Sequence, residues 1–96
     1  MFIISLTYTA ELAQIEQHLA VHRQFLDRYY QAGVFLFSGR KEPRTGGIII
    51  AQAAGRDEVE RIISEDPFRQ AGIADYAITE FIPSKTAPDL SHYAGA

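Results

Sequence analysis

At 96 residues with a net charge of −3, the chain is sized for one domain, and its interleaved acids and bases lack the concentrated basic face of a general nucleic-acid binder. It has no cysteine, which removes disulfides, thiolate zinc sites and cysteine nucleophiles. The hydrophobic share is 47%, with 11% aromatic. That is more than a small monomer readily encloses, so self-association is the first expectation.

The opening MFIISLTYTAELAQ has no basic leading segment, and its apolar run is too short for a signal sequence. No stretch approaches the length needed to cross a bilayer, so the chain reads as cytoplasmic, with no membrane partner. Residues Phe2, Ile4, Leu6 and Tyr8 alternate with Ser5 and Thr7, the pattern of a half-buried strand. Thr9 is the expected N-cap of one long helix ending at Gly33, with an apolar stripe of Leu12, Ile15, Leu19, His22, Leu26 and Tyr29. The run VFLFSG reads as a second strand, RKEPRTGG as a hairpin loop, and IIIAQAA as a third strand apolar on both faces. A shorter helix comes next in GRDEVERIISEDP, with Asp57 as cap and Glu60 three residues on. Its stripe runs Val59, Ile62, Ile63 and then Asp66, with Pro67 closing it. YAITEFI is the last strand, and 84–96 is a tail without periodicity after a domain spanning 1–83.

This β-α-β-β-α-β order predicts an α+β, ferredoxin-like fold: a four-stranded antiparallel sheet with two helices on one face. The other face is not polar, because Ile48, Ile49 and Ile50 need cover on both sides and Phe35 and Phe37 compete with Val34 and Leu36 for burial. Packing that face on a second copy predicts a homodimer. The competing expectation is that the tail folds back over the sheet.

Two polar residues sit on apolar stripes. His22 occupies a core position of the first helix and Asp66 one at the end of the second. An imidazole held by a carboxylate is a usable general acid/base, because the carboxylate fixes which nitrogen carries the proton and stabilises the imidazolium. The plainer reading makes His22 a core residue bonded to a backbone carbonyl and Asp66 the cap of PFRQAG. On a straight helix, His22 lies about 16 Å from the helix start at ~1.5 Å per residue. Direct contact with Asp66 then requires the helix to project past the sheet edge, or a bridging molecule.

Ser38 and Gly39 end the second strand near the same edge. No G-x-S-x-G pattern surrounds Ser38, so it is read as site lining. Arg40, Lys41 and Arg44 could attract an anion or simply be solvated. His18, His22 and Asp66 are too few, and too poorly patterned, for a metal site. Tyr29 and Tyr30 read as core and interface aromatics, and His92 as exposed.

The stretches VHRQFLDRYYQAGVFLFSGRK and GGIIIAQAAGRDEVERIISEDPFRQAGIADYAITEFIP resemble the YciI-like (YCII-related) family over residues 20 to 83. The resemblance rests on a histidine in the first helix (His22), a glycine-bearing segment after the second strand (Ser38, Gly39), and the DPF-x-x-AG element (Asp66, Pro67, Phe68, Ala71, Gly72). It implies a dimeric α/β barrel with a pocket built around the His22–Asp66 pair, lined by Ser38, Gly39, Arg40 and Phe68. One relative is a dehydrochlorinase acting on a chlorinated hydroxyquinol with such a pair. The family often has arginine and proline just before the histidine, where this chain has HLAV. An anion contact would therefore fall to Arg23 or Arg40.

The resulting expectation is a cofactor-independent acid/base enzyme carrying out isomerisation or elimination on a small, oxygenated molecule, with an anionic group as the ligand the arginines suit. A non-catalytic ligand-binding module on the same dimeric scaffold is the alternative. A haem- or oxygen-using enzyme ranks last, because no cofactor signature is visible.

Overall fold

The computed structural model describes residues 1–95. Four strands, β1 (Phe2–Tyr8), β2 (Phe35–Arg40), β3 (Gly46–Ala51) and β4 (Ala74–Glu80), form one antiparallel sheet in the order β2-β3-β1-β4. This is the expected ferredoxin-like topology. The sheet's inner face (Phe2, Ile4, Leu6, Ile49, Ala51) shares a single core with the helical residues Ile15, Phe25, Val59, Ile62 and Phe68. Burying each of these larger side chains contributes roughly 1.5–3 kcal/mol.

The first helix is not continuous. It divides into α1 (Leu12–Gln17) and α2 (Leu19–Gln31) at His18. There the His18 ring nitrogen bonds the Gln14 carbonyl, while the His18 amide turns to Ile15. The carbonyl that the next helical amide would use is thus taken by a side chain. Glu11, not Thr9, occupies the N-cap position. Leu12 is exposed, and the deepest residue of α2 is Phe25, which lies off the expected stripe. Gly33, at φ 77°, ends α2 by taking the left-handed conformation there.

The second helical region also divides. The helix α3 (Arg56–Ile63) starts at Gly55 without a side-chain cap. Glu58, rather than Glu60, reaches back, accepting from the Ala54 amide. This helix stops at Ile63, and Asp66 is instead the N-cap of a separate short helix, α4 (Pro67–Gln70). Pro67 at the first helical position suits this start, since its missing N–H leaves nothing unpaired.

Two departures in the sheet give the inner face its shape. The strand β3 begins at Gly46, so both glycines assigned to the hairpin are strand residues. A Cβ at Gly46 would lie 1.8 Å from the Leu6 carbonyl oxygen, so only glycine lets β1 and β3 approach this closely. In β2 the register slips between Phe35 and Phe37: Phe35 pairs with Ala51, and Ser38 with Ile49. This bulge settles the competition among its apolar residues. Phe35 and Ser38 face inward with Ile49 and Ala51, while Phe37 faces outward with Ile50.

On the outer face, Phe37 is 59% exposed. The segment after β4 crosses part of this face, ending in a 3-10 turn (Pro88–Tyr93). Leu90 and Tyr93 there stand with Leu36, Phe37 and Ile50 around a pocket of about 220 Å³. No helix among the described residues is long and apolar enough to cross a membrane.

Candidate functional site

Asp66 is the one buried charged residue described, at 0% exposure. A carboxylate in that position is tolerable only if fully hydrogen-bonded, and three donors reach it. Oδ1 accepts from His22 Nδ1 at 2.8 Å and from the Phe68 amide at 3.0 Å; Oδ2 accepts from the Tyr76 hydroxyl at 2.6 Å. The two readings of Asp66 therefore coexist. Its side chain caps α4 through the same oxygen that holds His22.

The contact is direct despite the distance expected along a straight helix. The helix α4 packs against both α2 and β4, and it carries Asp66 beneath His22. A carboxylate against Nδ1 fixes that nitrogen as the N–H, which leaves Nε2 with the lone pair. Among the described residues, Nε2 has no hydrogen-bond partner. The imidazole lies flat on Phe68, with ring centroids 4.0 Å apart and planes 7° from parallel. Tyr8 meets the same phenyl ring edge-on. The histidine is thus pinned at one nitrogen and along one face, and its side chain is 11% exposed.

That exposed remainder opens onto a cleft of about 160 Å³ bordered by α2 and the inner ends of β1, β2 and β3. Ser38, Gly39, Arg40 and Phe68 all line it with His22, while Asp66 stands behind the imidazole. Two features explain the hollow. Gly47, paired with Leu6 on the inner face, puts no side chain into it, and the β2 bulge turns Ser38 toward it. Ser38 Oγ lies 2.6 Å from the Tyr30 hydroxyl. Leu6, Leu19 and Leu26 supply apolar walls. A cavity of about 150 Å³ accommodates a benzene ring, so this cleft fits a single-ring molecule.

The mouth is cationic. Arg23 and Arg40 border both the cleft and a broader adjoining groove that Arg44 joins. Arg40 pairs with Glu42 at 3.2 Å and Arg44 with Glu16 at 3.3 Å. Arg23 has no carboxylate within ion-pair distance among the described residues. No group of three or more His, Cys, Asp or Glu able to hold a metal occurs among them either.

Sequence reasoning missed Tyr8, Tyr30, Tyr76 and Gly47. Tyr76 had a readable signal, because inward positions of β4 alternate Ala74, Tyr76, Ile78 and only the middle one carries a polar atom. Burial first, and then the negative charge and hydrogen bond of Asp66, raise its pKa far above the ordinary tyrosine value, so it remains a donor.

The family described as YCII-related domain matches residues 1–82. Among curated proteins, no sequence gives a significant match. Among solved structures, the chain resembles the 5-chloro-2-hydroxyhydroquinone dehydrochlorinase TftG of Burkholderia phenoliruptrix, in complex with 2,5-dihydroxybenzoquinone. The TM-score is 0.74 at 20% identity, covering 85% of this chain and 93% of that one. At that identity the likeness establishes the fold.

Proposed function

The chain belongs to the YCII-related domain family, and on that premise we propose that it is a cofactor-independent acid/base enzyme acting on a small oxygenated organic molecule. One observation carries the reading. The carboxylate of Asp66 holds His22 Nδ1 at 2.8 Å, which leaves the other nitrogen as the proton acceptor of an imidazole that lines a ring-sized cleft. In this reading Nε2 removes a proton from a carbon or hydroxyl next to a carbonyl-type oxygen. Asp66 stabilises the imidazolium that forms. The proton then returns elsewhere on the same molecule (isomerisation), or a leaving group departs with the electron pair (elimination). Ser38 and the amide edge near Gly39 would meet the substrate oxygens, Phe68 would back the imidazole, and the Arg23–Arg40 mouth would hold an anionic group. The ligand of the TftG complex, a small dihydroxylated quinone, is of the size and kind this cleft fits.

Chloride release from 5-chloro-2-hydroxyhydroquinone, and solvent-deuterium exchange into a panel of hydroxylated quinones and enolisable acids, would test the reading. Activity present in the wild type and lost in His22→Gln, with the melting temperature kept, is the expected result. Absence of any His22-dependent release or exchange would sink it. A binding module without turnover is the competing reading, favoured by the Asp66–Phe68 capping bond, which α4 needs whether or not chemistry occurs.

We also propose that the outer sheet face, with Phe37, Ile48, Ile50 and Ile3, packs on a second copy of the chain. Its support is the exposure of Phe37 and Phe81 there, since a lone domain rarely leaves contiguous apolar side chains bare.

A further inference from the structure

The cap of α4 and the bond to His22 both load the same oxygen of Asp66. A carboxylate held through one oxygen can still turn about its own axis, and the plane it presents to an imidazole is then loose. The second oxygen faces the opposite way, toward β4. Tyr76 closes that side: its hydroxyl reaches Oδ2 at 2.6 Å, from a strand paired with β1 along its whole length. The Arg69 guanidinium sits over the Tyr76 ring, 5.7 Å from its centroid, a cation–π contact that helps hold the ring. We propose that Tyr76 is a positioning residue of the His22 site, setting the plane of Asp66 and the strength with which that carboxylate grips the imidazole.

Hydrogen-bond chemistry gives this role a direct effect on the proton, given the reading that His22 is the proton carrier. A donor on Oδ2 draws negative charge away from Oδ1 and weakens the pull of Asp66 on the Nδ1 proton. The imidazolium is then held less tightly, so a proton taken by His22 can be given back. Loss of the donor has the opposite effect, and the imidazole keeps its proton to higher pH. The other charged or titratable groups around the pair remain unchanged. They are Tyr8 from β1, Arg23 from α2, Arg40 from β2, Arg69 from α4, and Glu65, which is paired with Arg28 and Arg61.

Proton NMR of the whole chain tests this without a substrate, using Tyr76→Phe and a second protein carrying fluorotyrosine at position 76. Fluorination strengthens the phenol as a donor and conserves the fold should the phenylalanine variant fail to form it. The expected result is an upward move of the His22 titration midpoint and a changed Nδ1–H resonance in Tyr76→Phe. Fluorotyrosine should move both the other way, with His18 and His92 unaffected as internal references. A His22 resonance and titration indifferent to both replacements would overturn the proposal. So would equal movement of all three histidines, which marks a structural effect. Because the readout is the imidazole itself, a protein without turnover would defeat the enzymatic reading and leave this result standing.

Discussion

The imidazole of His22 stacks on the phenyl ring of Phe68, nearly parallel to it with centroids 4.0 Å apart, and the backbone amide of Phe68 bonds the carboxylate that holds the same imidazole. One residue therefore orients both members of the pair, with its ring on the histidine and its N–H on the aspartate. An aromatic pair of this kind contributes about 0.5–1.5 kcal/mol beyond area burial.

Replacing Phe68 should separate these two services. Phe68→Leu keeps the amide and loses the stack; it is expected to cost roughly 1–1.5 kcal/mol, while Phe68→Ala also opens a cavity and should cost about 3–5 kcal/mol. Urea unfolding measures both. Of the two, Phe68→Leu is the informative one for function, since broadened His22 ring resonances in a stable protein would show that the stack, rather than the fold, keeps the imidazole still.

Asp66→Asn removes the buried charge while preserving shape. The amide can still accept from the Phe68 N–H, but its NH2 then meets a group that had been donating. A loss of about 1–3 kcal/mol is expected from leaving one such group unsatisfied. Any turnover should fall a hundredfold or more, roughly the contribution of a positioned acid/base. Denaturant titration and steady-state kinetics would report the two effects. An imidazole titration identical in wild type and variant would contradict the pairing.

Tyr76 gives the pH dependence its sign. Its folded-state pKa is raised by burial and by Asp66, so above about pH 10 the unfolded chain releases a proton that the folded chain keeps. This contribution to stability is complete below the ordinary tyrosine value and declines above it, by up to ~1.4 kcal/mol per pH unit. Tyr29 is shifted in the same direction, by burial and then by Glu65. Stability measured between pH 8 and 11 should fall at the alkaline end, and Tyr76→Phe should make that fall shallower. A slope unchanged by the substitution would mean that the hydroxyl is not held protonated.

The outer face offers a physical test of assembly. Phe37 is 59% exposed beside Ile50, so Phe37→Glu should leave the inner core untouched. Sedimentation should find wild-type dimers and Phe37→Glu monomers at micromolar concentration. A wild type that sediments as a monomer at all concentrations would reassign the face to the C-terminal segment alone.

Much of this architecture was legible because periodicity is a strong signal where each element has one buried side. The alternation of β1 and the spacing of Val59, Ile62 and Ile63 pointed to the sheet and its helical layer. The breaks at His18 and Ile63 were not legible, since each depends on a side chain or turn competing locally for a carbonyl that apolar spacing does not register. Gly46 and Gly47 read as a loop for a related reason. Glycine marks a turn in isolation, but here it marks the place where two backbones come too close for a side chain. His22 and Asp66 stood out because polar atoms on apolar stripes are conspicuous. Tyr76 carries a fainter signal of the same kind, because an aromatic ring on an inward strand position already satisfies the pattern and masks its hydroxyl.

The slip at Phe35–Phe37 acts as a half-step in the parity of β2. Up to that point odd-numbered residues face the helices, and beyond it even-numbered ones do. Were Leu36 drawn into regular pairing opposite Ile50, every later residue would change sides: Phe37 and Gly39 would turn inward, Ser38 and Arg40 outward. The sheet could still form, yet the cavity would lose the Ser38 hydroxyl and the Arg40 guanidinium together and receive a phenyl ring instead. One supernumerary residue, far along the chain from His22, thus decides whether this scaffold encloses a hollow or a plug.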